Sequence, residues 1–138
     1  MALDYGERRV GVAISDPDGR IASPLETIER GPGKGSAITR VAELVREYEV
    51  GQIVIGLPLH MDGRSGPEVE RVRAFGSQLA RETGAGVEYL DERWTTLEAE
   101  RAFAPAGGSK RRRAQKREKL DPVAAAILLR TWLEREGG

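Results

Sequence analysis

The chain has 138 residues, with 22 Lys+Arg against 22 Asp+Glu, 39% apolar and 32% charged. Those figures suit one globular domain with a single core and leave net charge silent about partners. There is no cysteine, which excludes disulfides, thiolate metal sites and cysteine nucleophiles and fits a reducing compartment. No apolar run approaches the roughly 20 residues of a bilayer-spanning helix and no signal-peptide core is present, so the expected setting is cytoplasmic, without a membrane partner.

The first fifteen residues, MALDYGERRVGVAIS, predict a β-hairpin: Ala2 to Tyr5, a connection through Gly6-Glu7-Arg8-Arg9, then Val10, Val12 and Ile14 alternating with Gly11, Ala13 and Ser15. Asp16-Pro17-Asp18-Gly19 is a turn cluster and a third strand follows at about 21–28. The period then changes. Ile38, Val41, Ala42, Val45 and Tyr48 recur at helical spacing behind Ser36, a suitable N-cap. Gln52 to Leu57, QIVIGL, is a short apolar run of the kind found in a strand buried on both faces.

Pro67 opens a helix with Val69, Val72, Phe75, Gly76 and Leu79 on one face and Gly84 past its end. Val87 to Leu90 is a last short strand, running into DERWTT. Thr95 with Glu98 three residues on forms a capping-box pattern for a helix through Phe103. A loop, APAGGSKRRRAQKREK, spans residues 104–119. Asp121 then caps a final helix with Pro122 at its first position, and VAAAILLRTWL is apolar nearly all round. The order predicts an α/β fold: a three-strand antiparallel meander extended into a mixed five-stranded sheet, with helices on both faces, as a single domain over residues 1–138.

Several residues stand out chemically, each beside an ordinary structural role. Asp4 is a carboxylate in a strand, where a charge is costly unless paired or metal-bound, although aspartate is also common in hairpin turns. Asp91 and Glu92 end a strand, where ligands gather in open α/β sheets, although a DER triplet is also an ordinary solvated charge cluster. Asp121 before Pro122 is by itself a normal helix cap. The carboxylates gain weight as a set. Cleavage of a phosphodiester by water can be served by two Mg²⁺ or Mn²⁺ ions about 4 Å apart, held by carboxylates from different elements. A chain without cysteine and with one histidine offers the oxygen ligands that hard divalent ions prefer.

Lys110, Arg111, Arg112, Arg113, Lys116, Arg117 and Lys119 put seven cations in ten residues directly ahead of Asp121. This loop reads as a mobile phosphate-binding arm. Aromatic residues are only 5% of the chain, so recognition would rest on backbone and shape rather than base stacking. His60, the sole histidine, lies in a loop; a base is one reading, and a substrate contact or no role at all is the simpler one. Thr95 and Thr96 offer hydroxyls at a helix start, with capping the simpler role for Thr95. Trp94 and Trp132 read as packing residues.

Four blocks, LDYGERRVGVAISD, IVIGLPLHMDGRSG, YLDERWTT followed by EAE, and LDPVAAAILL, resemble in order and spacing the signature blocks of the YqgF (RuvX) family, over almost the whole chain. That family is described as pre-16S ribosomal RNA nucleases and as Holliday-junction-resolvase-like. The resemblance implies a ribonuclease H-like fold with sheet order 3-2-1-4-5. It implies Asp4, Glu92 and Asp121 as catalytic metal-binding carboxylates, with Asp91 as the substitute for Glu92, since neighbouring residues of a strand point to opposite faces. Arg93 and Thr96, with Lys110, Arg111, Arg112, Arg113, Lys116 and Arg117, would face nucleic acid. The implied activity is a Mg²⁺- or Mn²⁺-dependent nuclease, with two ions, that processes the 5′ end of pre-16S rRNA as a monomer or weak homodimer. The alternatives are a Holliday junction resolvase acting on DNA and a non-catalytic RNA-binding assembly factor. The family often has Asn at the position of His60, and usually a few more residues before the first aspartate than the three found here.

Overall fold

The computed structural model describes residues 1–58, 66–92 and 121–137, without the side chains of Asp121 and Gly137. Strands β1 (Ala2–Tyr5), β2 (Arg9–Ser15) and β3 (Ala22–Glu29) are followed by helix α1 (Ala37–Glu47), strand β4 (Gln52–Leu57), helix α2 (Pro67–Thr83) and strand β5 (Gly86–Asp91). The final described helix is α3 (Asp121–Gly137). The sheet order is β3-β2-β1-β4-β5. β1–β2 and β2–β3 pair antiparallel, and β1–β4 and β4–β5 pair parallel. The meander and the mixed sheet are as the residue pattern predicts, and the element bounds differ by a residue or two. Ile21 falls outside β3 and is 63% exposed. The helix expected from Thr95 to Phe103, the 104–119 loop and His60 all lie outside the described residues.

Local chemistry explains the element ends. Ser36 caps α1 by accepting from the Thr39 amide, and Gly84 closes α2 in the left-handed conformation at φ 74°. Pro24 is tolerated because β3 is an edge strand, and it sits where the β2–β3 register shifts between Val12 and Ala13. Gly6 lets the β1–β2 turn close: its amide donates to Arg9 O at 2.8 Å, and a Cβ there would meet that same oxygen at 2.9 Å. Any side chain at position 6 therefore has to open a backbone turn two residues from Asp4.

The two faces of the sheet carry different residues. Leu3, Val10, Val12, Ile53, Ile55 and Leu57 pack against α1 and α2 through Val41, Leu44, Val69, Val72, Phe75 and Leu79. The opposite face is made of small side chains: Ala2, Ala13 and Val54, with Leu90, against Ala125, Ala126, Leu128 and Leu129 of α3. Small residues bring α3 close to the sheet, and its apolar stretch fills that layer. Burying these side chains contributes about 1.5–3 kcal/mol for each large one. Trp132 packs at the edge of this layer, and its Nε1 donates to Glu88 at 2.9 Å.

Candidate active site at the carboxyl ends of the strands

Period-two alternation decides which carboxylates can meet. In β1, Leu3 faces the α1/α2 layer and Ala2 faces α3, so Asp4 points to the α3 side. In β5, Leu90 faces α3 while Val87 and Tyr89 pack on the α1/α2 side. Asp91 therefore turns toward the α1/α2 layer, where it is 7% exposed, and Glu92 turns back toward α3. In β4, which lies between β1 and β5, Gly56 leaves a gap on this face: a Cβ there would lie 2.8 Å from Glu92 Oε1 and 2.9 Å from Leu128 Cδ1. Gly56 is level with Leu90 in the β4–β5 register. Asp4 stands across from Gly11 in the β1–β2 ladder, so its other neighbour on this face is also only a hydrogen.

The Asp4 and Glu92 carboxyl groups interact on this face, and the Glu92 carboxyl is pushed up to about 7, first by burial, then by the charge of Asp4 and hydrogen bonding with it, and last by the charge of Asp91. A pair of half-buried carboxyl groups, forced together with only oxygen donors, is an environment in which a divalent cation readily replaces the proton.

Asp121, the third acidic residue of the expected set, opens α3. Leu133 lies beside the Gly19 turn that follows β2, and Leu128 lies beside Gly56 near the carboxyl end of β4. The helix thus runs back along the sheet, with Asp121 as its first residue on the carboxyl-end side of β1 and β4, the side on which Asp4 and Glu92 stand. The side chain of Asp121 lies outside the described residues. Among the described residues no three His, Cys, Asp or Glu side chains converge as a ligand group. Arg93, Thr96, Lys110, Arg111, Arg112, Arg113, Lys116 and Arg117 also lie outside them.

A family model described as "RuvX: Holliday junction resolvase" matches residues 1–135. The chain belongs to the RuvX family. Three relatives carry the name "Putative pre-16S rRNA nuclease". The one from Pelotomaculum thermopropionicum is 46% identical over 138 residues, covering 99% of this chain and 87% of the relative. The Roseiflexus protein is 42% identical over 136 residues, covering 99% and 94%. The Moorella thermoacetica protein is 44% identical over 137 residues, covering 99% and 95%. Among solved structures, Thermus thermophilus RuvC in complex with a Holliday junction substrate superposes with TM-score 0.61 at 13% identity, over 99% of this chain and 93% of that one. A second Thermus thermophilus RuvC structure gives 0.52 at 16% identity, over 98% and 94%. At such identities the likeness bears on fold, and it is the ribonuclease H-like fold that the sheet order displays.

Two features of this candidate site have no motif to announce them in the sequence. Gly56 is one; an isolated glycine inside a strand pattern is the available signal for a close approach. The other is Arg30, directly after β3. Its Nη1 donates to Gly6 O at 2.6 Å and to Glu7 O at 3.1 Å, and its guanidinium lies 4.3 Å from the centroid of the Tyr5 ring. Nothing in the local pattern around Arg30 signals those bonds, because they join residues 24 and 23 positions apart.

Gly56→Ala tests the close approach. The added methyl must displace both the Glu92 carboxyl and the Leu128 methyl, an overpacking cost of about 1–3 kcal/mol. Cleavage activity is expected to fall by more than the loss of thermal stability explains. An activity loss that simply tracks the fraction unfolded, measured by circular dichroism beside a cleavage assay, would place Gly56 among ordinary core residues.

Proposed function

We propose that this chain is a divalent-metal-dependent nuclease that hydrolyses phosphodiester bonds of structured RNA, maturing the 5′ end of pre-16S rRNA during ribosome biogenesis. The observation that carries the reading is the Asp4–Glu92 carboxyl pair on the α3 face, with Asp121 opening the helix that covers that face. Family membership and the names of the relatives support the nuclease class and the RNA substrate.

Asp4, Glu92 and Asp121 would hold the ions, with Asp91 behind them as a buried negative charge. When bound, Mg²⁺ or Mn²⁺, most simply as a pair, supplies Lewis-acid stabilisation of charge on the scissile phosphate and lowers the pKa of water. The chain's own contribution is positional. β1 and the residue just past β5 present Asp4 and Glu92 on either side of β4, and the Glu92 proton must leave before the pair becomes a full oxygen donor set. The hydrolysis joins a water oxygen to phosphorus and breaks the bond from phosphorus to the leaving nucleotide oxygen. Arg93 and Thr96, and the cations from Lys110 to Arg117, would neutralise backbone phosphates on either side of that bond.

A second reading, resolution of DNA four-way junctions, is favoured by the description of the matching family. The two substrates separate in one experiment: a precursor rRNA fragment and a synthetic four-way junction are incubated side by side with Mg²⁺ or Mn²⁺, wild type against Asp4→Asn. RNA cleavage that disappears in Asp4→Asn supports the proposal. Symmetric nicking of the junction by a dimer, with the RNA intact, supports resolution. Cleavage of neither, with tight RNA binding that needs no metal, would make the chain a binding factor.

Neutralising Lys110, Arg111, Arg112 and Arg113 together is expected to weaken RNA binding and to flatten its salt dependence. The slope of log K on log salt should fall by about 0.7 for each single-strand phosphate that is no longer neutralised. A slope unchanged from wild type, by titration at several salt concentrations, would remove those residues from the interface.

A further inference from the structure

Asp4 lies near the end of a four-residue strand. The β1–β4 register pairs Ala2 with Val54 and Leu3 with Ile55 and goes no further, so Asp4 is laddered only to β2, opposite Gly11. A side chain that has to sit within about 0.5 Å of its working position depends on how firmly the backbone beside it is held. Arg30 holds the turn that follows Asp4. Its backbone amide donates to Arg8 O at 2.7 Å, and its Nη1 donates to Gly6 O at 2.6 Å and Glu7 O at 3.1 Å. Those acceptors are three consecutive carbonyls of the β1–β2 turn. Its guanidinium also covers the Tyr5 ring at 4.3 Å, and the same ring meets Phe75 of α2 with centroids 4.5 Å apart. Tyr5 and Gly6 are the two residues directly after Asp4, and Gly6 is itself closed onto Arg9 O.

We infer that Arg30 is a positioning residue for Asp4, clamping the β1–β2 turn from the end of β3 and so fixing the angle at which the Asp4 carboxylate meets Glu92 and the ions it would hold. The inference rests on the reading of Asp4 as a ligand carboxylate. A charge-assisted bond to a carbonyl is roughly twice as strong as a neutral one, and a planar guanidinium can make such bonds while stacking on a ring, which an ammonium cannot do in the same geometry. Arg30 acts on Asp4 through the backbone of the turn and through Tyr5; nothing requires it to touch substrate.

The test compares full-length wild type, Arg30→Ala, Arg30→Lys and Asp4→Asn. In a folded Arg30→Ala protein, Mn²⁺ affinity by calorimetry and kcat for RNA cleavage should each fall by about tenfold or more, as for other residues that orient a metal ligand. KM should change by less than about twofold, and exchange of the Gly6 amide should rise while that of Val54 in β4 stays as in wild type. Arg30→Lys should recover part of each loss, since it keeps the charge and loses the planar fork. Mn²⁺ affinity and kcat at wild-type values in Arg30→Ala overturn the inference. So does a raised KM with unchanged kcat, which would make Arg30 a substrate contact. If Arg30→Ala does not fold, Tyr5→Leu, which removes the stack and keeps an apolar contact with Phe75, carries the same comparison. If wild type takes up no Mn²⁺, or Asp4→Asn takes it up equally, the ligand reading of Asp4 fails; the clamp itself is then decided by Gly6 exchange alone, and unchanged exchange overturns it.

Discussion

Asp4→Asn and Glu92→Gln are each expected to lower metal-dependent cleavage by about a thousandfold, the equivalent of roughly 4 kcal/mol of lost transition-state stabilisation. Asp121→Asn is expected to follow them. The substitutions remove a charge and preserve shape, so the fold should survive. For Asp4 and Glu92 there is a further reason: the two carboxyl groups already repel in the absence of a cation, and an amide in place of either relieves that repulsion and retains a hydrogen-bond donor. The informative result is therefore the pairing of two measurements. Thermal unfolding without metal should be equal to wild type or higher, while cleavage and Mn²⁺ uptake are lost. Normal cleavage by any one of the three variants would take that residue out of the site, and a variant that loses activity only because it unfolds would say nothing in favour of a metal ligand. Asp91→Asn is expected to do less to cleavage, because alternation turns its side chain to the other face of the sheet, though its charge is one of those that press on Glu92.

The second large effect is on pH. Glu92 has its carboxyl pushed from the ordinary 4.5 up to about 7, so the folded chain without metal holds a proton that the unfolded chain has released across that window. The stability contributed by this proton is complete below about pH 4.5 and is lost as pH rises through 7, amounting to on the order of 2 kcal/mol after allowance for the partly exposed site. In chelator, the unfolding midpoint of wild type should therefore fall between pH 5 and pH 8 more steeply than that of Glu92→Gln. Divalent cations should reverse the trend, since they compete with the same proton: Mn²⁺ affinity is expected to climb with pH up to about 7 and then level off. Identical pH slopes in wild type and Glu92→Gln would show that the carboxyl pair does not hold its proton in solution.

Much of this molecule is legible in its residues because the relevant signals are local. The alternation in Val10–Ser15 and the apolar run Gln52–Leu57 announce strands. Ser36, Pro67 and Gly84 mark helix ends by satisfying or avoiding particular backbone groups. The order of these elements, a meander followed by helices between strands, restricts the topology to a mixed sheet. Three acidic positions could be put forward as a set because oxygen ligands at strand and helix ends are donors that suit hard cations in phosphodiester hydrolysis.

What the tertiary structure alone decided lies in the register between distant segments. That Glu92 rather than Asp91 meets Asp4 follows from which face of β5 packs on α3, and this is fixed by Leu90 burying against Ala125, Ala126, Leu128 and Leu129, far along the chain. That Gly56 is a place of close approach follows from Glu92 and Leu128 converging above it from two other elements. That Arg30 braces the turn beside Asp4 follows from the edge strand β3 returning the residue just past its end to the hairpin it left. Propensity and capping act over a few residues and can be read from a window of the chain. A side chain's face and its partner across the sheet depend on pairing that closes over tens of residues, and that is settled only when the whole core packs at once.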